Sequence, residues 1–82
     1  MVIRILFFSA LQDAVGCDEL DFEVPEGVAD VAQLLDILYD RWPSLREWSR
    51  EIRVAADLEY VGIEHPLQEV QEIAIIPPVQ GG

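Results

Sequence analysis

Few residues in this chain have the chemistry for a reaction, and the most suggestive group belongs to the backbone. Residues 77–82 read Pro-Pro-Val-Gln-Gly-Gly, and Gly82 is the last residue. Paired glycines add no packing and lose the most conformational entropy on ordering, and chain termini are the first parts of a domain to fray. What glycines offer is slenderness: a backbone without Cβ atoms enters a narrow channel, and its carboxylate has no bulk beside it. The expectation is that the Gly82 carboxylate is itself the reacting group, carried by Gly81, Gln80 and Val79 on a base stiffened by Pro78 and Pro77. Cys17, the only thiol, could act as a sulfur acceptor. It has no basic neighbour within two positions, and Gly16-Cys17-Asp18 reads as a turn. His65, the only histidine, precedes Pro66 and reads as a turn residue rather than a proton shuttle. Asp57 and Glu59 flank a turn and are expected to face water. No side chains show the spacing of a metal site, so no metal is expected.

Something compact must hold such a tail. Residues 2–8 (Val-Ile-Arg-Ile-Leu-Phe-Phe) are β-branched and aromatic and predict a central strand. Its two parities are Ile3, Ile5, Phe7 and Val2, Arg4, Leu6, Phe8. Ser9 is placed to cap a short helix over 10–15, with Gly16 as its stop. Residues 20–24 alternate apolar and acidic, the pattern of a half-buried strand. After a Pro25-Glu26-Gly27 turn, Asp30 and Gln33 form a capping box. Val31, Leu34, Leu35, Leu38 and Trp42 then make one helical stripe that Pro43 ends. Residues 44–51 predict a further short helix or turn, with Leu45 and Trp48 packing inward. Short strands are expected over 53–56 and 59–63, and Glu64-His65-Pro66-Leu67 is a turn that returns a leucine to the core. Residues 72–76 are apolar at both parities, which suits a strand buried on both faces.

This order predicts an α+β domain: a mixed four- to five-stranded sheet packed on one main helix, with the first and last strands central and parallel. That is a β-grasp, or ubiquitin-like, arrangement over residues 1–76, followed by a flexible tail over 77–82. One sheet face meets the helix. The other carries Phe8, Leu6, Ile76 and Ile75 with no second layer, and an apolar face rimmed by acids is expected to bind a partner.

The charge of −11 comes from 16 acidic residues against five arginines, with no lysine. Such a surface repels phosphate backbones and anionic lipid, so neither nucleic acid nor membrane is expected as a partner. A basic protein surface is the natural complement, although the acidity would also serve solubility alone. The longest apolar run falls well short of the roughly 20 residues that span a bilayer. No signal-peptide pattern follows Met1, so a cytoplasmic location is expected. A lone cysteine allows no disulfide within the chain.

Over its whole length the sequence resembles the small, sulfur-carrying subunit of molybdopterin synthase, with the thiamine-pathway sulfur carriers as more distant relatives. The resemblance rests on Ile3-Arg4-Ile5-Leu6-Phe7-Phe8 with Ala10 and Val15-Gly16, on His65-Pro66-Leu67, and above all on 73–82 (Ile-Ala-Ile-Ile-Pro-Pro-Val-Gln-Gly-Gly). It departs from the family at Glu69-Val70-Gln71-Glu72, where a glycine is usual, and at Asp57, where Asn is usual. Without that glycine the turn before the last strand is expected to change type.

The resemblance implies a mechanism and partners. A ubiquitin-activating-like adenylyltransferase spends ATP to adenylate Gly82, and a sulfur donor protein converts the adenylate to a thiocarboxylate. The tail then enters the large subunit of molybdopterin synthase, in a heterotetramer, and gives its sulfur to a pterin precursor. The carrier binds no cofactor of its own, and the catalytic side chains come from the large subunit. Extended, residues 79–82 reach at most about 14 Å, enough to enter a buried site from outside. Three other readings share the sequence: a sulfur carrier for thiamine or cysteine synthesis, a ubiquitin-like protein modifier, and a binding module whose tail is idle.

Overall fold

A computed structural model describes residues 1–78 of the chain. Strand β1 (Val2–Phe7) leads into helix α1 (Ala10–Val15) and strand β2 (Glu19–Glu23). Helix α2 (Val31–Arg41) and a 3₁₀ helix (Pro43–Trp48) follow, and then strands β3 (Arg53–Ala56), β4 (Glu59–Val61) and β5 (Glu72–Ile76). The five strands form one sheet in the order β2-β1-β5-β3-β4. Strands β1 and β5 lie side by side in parallel at its centre, with Leu6 opposite Ala74 and Phe7 opposite Ile75. The other pairings are antiparallel. This is the α+β, β-grasp architecture expected from the apolar character of the first and last strands.

Period-2 alternation decides what the sheet buries. Ile3, Ile5 and Phe7 point into the core from β1, Ile73 and Ile75 from β5, and Val54 and Ala56 from β3. Against them lies the stripe of α2, where Val31, Leu34, Leu35 and Leu38 are all buried, joined by Tyr39. Trp42 is half-buried at the stripe's end, edge-on to Phe7 with ring centroids 6.0 Å apart. Leu67 comes back into this core from the His65-Pro66 turn.

Helix α2 starts where its cap dictates. Asp30 Oδ1 accepts from the Gln33 amide at 2.9 Å. Gln33 Oε1 accepts from the Ala29 amide at 2.6 Å, one residue before the position that a capping box usually serves. Helix α1 is different. Ser9 makes no side-chain cap and adopts φ 52°, so α1 is held instead by Gly16 in the left-handed conformation, whose amide donates to the Gln12 carbonyl at 2.7 Å.

Besides the Ser9 cap, three further sequence expectations need correction. The outer face of β5 is half-open, so only its Ile73 and Ile75 side is fully buried. Ile75 is 0% exposed and belongs to the helix-facing core, not to the outer face with Leu6, Phe8 and Ile76. Asp57 does not simply face water: Oδ1 accepts from the amides of Gln71 at 3.1 Å and Glu72 at 3.0 Å, tying the β3–β4 turn to the start of β5.

That turn carries strain. Asp57 (φ 47°) and Leu58 (φ 76°) are the two central residues of a two-residue hairpin, and both have the positive φ of a type I′ turn. The turn before β5 keeps a positive φ too, at Glu69 (φ 69°), despite the missing glycine. A left-handed conformation costs a side-chain-bearing residue roughly 1–2 kcal/mol, and Leu58, 89% exposed, recovers nothing by burial. Leu58→Gly is therefore expected to stabilise the fold by about 0.5–1 kcal/mol after the added freedom of the unfolded chain is charged against it. The gain would read as a melting temperature several degrees higher, about 2–8 °C.

Tyr39 gives the fold a pH dependence. Burial, reinforced by Asp36 and partly offset by Arg46, raises its pKa above 10.0. The folded state thus holds the phenolic proton more tightly than the unfolded chain does. The resulting stability is complete below pH 10 and is lost as pH rises through the raised folded value. Urea denaturation at about pH 9 and about pH 11 is expected to show a smaller loss for Tyr39→Phe than for the wild type.

Candidate functional site

The chain leaves the sheet at the C-terminal end of β5, and the side chains of the outer face converge there. On that face Leu6 of β1 lies beside Ala74 of β5, Ala74 beside Ala55 of β3, and Ala55 beside Tyr60 of β4. The two alanines make the middle shallow. One step towards the tail, Ile76 lies beside Arg53. Phe8 continues β1 past its last paired residue, its amide donating to the Ile75 carbonyl at 3.3 Å.

Phe8, Ser9, Ala10, Trp48, Ile76, Pro77 and Pro78 line an open groove of about 560 Å³. Its walls come from three parts of the sequence, and its floor is the root of the tail. Phe8 is 42% exposed, although aromatic side chains of its size are mostly buried. Trp48 is half-buried, packs against the core and lines the groove. The eclipsed i, i+3 spacing of a 3₁₀ helix puts Leu45 and Trp48 on one side, and only Leu45 is fully buried. Pro77 is buried and Pro78 half-buried. The first two residues of the expected tail therefore pack on the domain.

Four of the expected partner and tail residues thus meet at one place: Phe8, Ile76, Pro77 and Pro78. Leu6 is half-buried on the same face, one strand position behind Phe8. Ile75 lies on the opposite side, as described. Val79, Gln80, Gly81 and Gly82 lie outside the described residues. Ser9, Ala10 and Trp48 were not expected in the groove. The positive φ of Ser9 bends the chain so that α1 starts beside Phe8, and nothing in the residue types announces that bend.

The remaining titratable groups do not assemble a reaction centre. Among the described residues no polar or charged side chain is buried, and no three His, Cys, Asp or Glu residues are grouped to hold a metal ion. His65 is half-buried and serves through its backbone, its carbonyl accepting from the Val31 amide at 3.0 Å. Cys17 sits half-buried in its turn beside Gly16 and Asp18. A second depression, lined by Val2, Arg4, Asp21, Asp57, Leu58, Gln71 and Glu72, lies at the other end of the sheet. There Arg4 is flanked by Glu19 and Asp21 at 4.0 and 3.9 Å. Among the described residues no helix is long and apolar enough to cross a membrane.

A mixed five-stranded sheet grasping one helix, with an apolar groove at the tail root, defines a ubiquitin-like β-grasp protein. The sequence profile of the ThiS family matches residues 5–82, and the chain belongs to that family. It is 32% identical to the molybdopterin synthase sulfur carrier subunit of Escherichia coli, over 99% of this chain and 100% of that one. It is also 32% identical to the protein of that name from Mycobacterium tuberculosis, over 98% of this chain and 96% of that one. Among solved structures, SAMP1 of Haloferax volcanii superposes with a TM-score of 0.79 at 26% identity over the full length of both chains. A complex of subunits 1 and 2 of molybdopterin-converting factor from Helicobacter pylori contains a chain that matches with a TM-score of 0.69 over the full length of both. At 23% identity that likeness supports the fold alone.

Proposed function

We propose that this chain is the sulfur carrier subunit of molybdopterin synthase, with the Gly82 carboxylate as the group that takes up and delivers sulfur. The observation that carries the reading is the apolar groove at the root of the Pro-Pro-Val-Gln-Gly-Gly segment, in a chain matched end to end by relatives of that name.

The chemistry follows from what a carboxylate lacks. It is a poor electrophile until one oxygen becomes part of a good leaving group. Attack of the Gly82 carboxylate on the α-phosphate of ATP, within an adenylyltransferase, releases pyrophosphate and forms an acyl-adenylate. The outer sulfur of a donor protein's persulfide then attacks the acyl carbon and displaces AMP, and a second thiol cleaves the resulting acyl disulfide, forming a disulfide with the donor and releasing a C-terminal thiocarboxylate. In the large synthase subunit this sulfur is the nucleophile that attacks an electrophilic carbon of a pterin precursor and displaces an oxygen leaving group, and water then cleaves the thioester so formed, leaving the sulfur on the pterin and restoring the carboxylate. The groove of Phe8, Trp48 and Ile76 docks the domain while the slender tail reaches inward. Pro77 and Pro78, already packed, reduce the entropy lost on insertion.

Intact-mass spectrometry tests this. The chain is incubated with the adenylyltransferase, ATP and a sulfur source. The expected product gains the mass of one sulfur in place of one oxygen, mapped to Gly82, and loses it again on addition of the large subunit and pterin precursor. A second reading, a protein modifier joined through Gly82 to lysines, is favoured by the likeness to SAMP1, a small archaeal modifier protein by name. It requires an ATP-dependent adduct on a target protein in the same experiment. An unmodified tail would exclude both.

A further inference from the structure

The five arginines of this strongly acidic chain are unevenly provided with partners. Arg4 lies within 4.0 Å of Glu19 and Asp21. Arg46 is paired with Asp40 at 2.7 Å and stands over the Tyr39 ring. Arg41 stands over Trp42, 5.5 Å from the ring centroid. Arg50 and Arg53 have no ion pair with any carboxylate among the described residues, and both are exposed. They are also together. Arg50, Glu51, Ile52, Arg53, Tyr60 and Pro78 line one open depression of about 750 Å³, directly beside the tail root. Tyr60, 70% exposed, is its aromatic wall.

Among the described residues only two arginines, Arg4 and Arg46, lie within 4.0 Å of a carboxylate, and Arg50 and Arg53 differ from Arg41 in having no aromatic ring beneath them and in lining the same depression. Two guanidinium groups that make no ion pair among the described residues line one depression where the chain leaves the domain, with Glu51 as the one carboxylate in its lining, and set a locally cationic spot on an acidic surface. Long-range attraction draws the −11 chain towards basic surfaces. At close range this spot repels them and accepts a carboxylate, which a guanidinium fork binds in bidentate geometry. The tyrosine and proline beside it offer apolar contact to whatever carries that carboxylate.

The geometry points to Arg50 and Arg53, with Tyr60 and Pro78, as a docking site for an acidic segment of the protein that accepts the tail. The pair fixes the orientation in which the two surfaces meet, so that the tail root faces the accepting site and not a neighbouring basic patch. The Phe8–Trp48–Ile76 groove supplies apolar area, and the arginine pair supplies register. The inference rests on the carrier reading, since it assumes an accepting protein.

The test is titration calorimetry of the full chain with the large subunit of molybdopterin synthase, at low and at high salt. Wild type, Arg50→Glu/Arg53→Glu, Arg50→Lys/Arg53→Lys and, as a control away from the depression, Arg46→Gln are compared after thermal melts confirm that each is folded. Charge reversal is expected to weaken binding about tenfold to a hundredfold, by setting like charges opposite each other. The lysine variant should keep part of the affinity, Arg46→Gln should bind as the wild type does, and the reversal effect should shrink at high salt. Equal binding by wild type and reversal variant overturns the inference while leaving the carrier reading intact. A wild-type chain that does not bind the large subunit overturns the carrier reading and this inference together.

Discussion

Deleting Gly82 alone is expected to abolish sulfur delivery while leaving the fold and the docking of the domain intact. The new C-terminus at Gly81 would still be a carboxylate, so the loss would come from reach and not from chemistry. One residue of extended chain contributes about 3.3–3.6 Å, and a nucleophile must lie within about 3–3.5 Å of its target to react. Withdrawing it by a full residue is therefore equivalent to removing it, and turnover should fall to background. Stability should hardly change, because among the described residues the core is built from β1, β3, β5 and α2, closing with Ile73 and Ile75, and Pro77 and Pro78 pack at the root of the tail. Melting temperature, affinity for the large subunit and sulfur-transfer rate, measured on one preparation, check all three parts. A chain that loses several degrees of melting temperature without Gly82 would place the tail inside the fold. A chain that keeps its activity would mean that the terminal carboxylate does not react.

What the sequence made legible follows where its periodicity was clean. Strand β1 alternates Ile3, Ile5, Phe7 against Arg4, Leu6, Phe8, so its inner and outer faces follow from counting by twos. The stripe of α2 and the Asp30 cap are equally plain, because the 3.6-residue period and a short acceptor side chain each leave one arrangement open. Strand β5 has no such contrast. With Ile73, Ala74, Ile75 and Ile76 all apolar, parity is invisible in residue types and is decided by the parallel register that sets Phe7 beside Ile75. Ile75 was therefore expected on the wrong face. The turns failed for a related reason. Positive φ is predicted from glycine, and here Ser9, Leu58 and Glu69 adopt it without one. The fold imposes their conformations, Asp57 helping by binding the amides at the start of β5.

The functional site divides in the same way. Its chemical end, the glycine pair after two prolines, is written in contiguous residues. Its docking groove gathers Phe8, Trp48 and Ile76 from distant stretches, and only the tertiary arrangement joins them. The arginine depression was hidden further still. Arg50 and Arg53 stand beside Glu51 in sequence, and only the structure shows that neither makes an ion pair among the described residues and that both line one depression with Tyr60 and Pro78.

The groove supplies the second large effect, which turns on one step along the chain. Phe7→Asp would set a carboxylate among Trp42, Ile75 and the α2 stripe, where no buried polar group waits to receive it. Burying an unpaired charge costs more than a small domain's entire stability, so this variant is expected not to fold. Phe8→Asp places the same carboxylate on the half-exposed rim of the groove, where water still reaches it. The fold should then lose about 1 kcal/mol or less. Binding to the large subunit should suffer far more. An aromatic anchor in an apolar interface contributes about 2 kcal/mol or more when truncated, and the carboxylate adds its own desolvation, so affinity should drop by roughly thirtyfold or more. Circular dichroism melts of the two variants, with calorimetric titration of Phe8→Asp, separate the faces. If Phe8→Asp unfolds the protein, Phe8 is core and the groove is not the docking surface. If it folds and binds as tightly as the wild type, the domain meets its partner elsewhere on the sheet, and the tail must enter from a different angle.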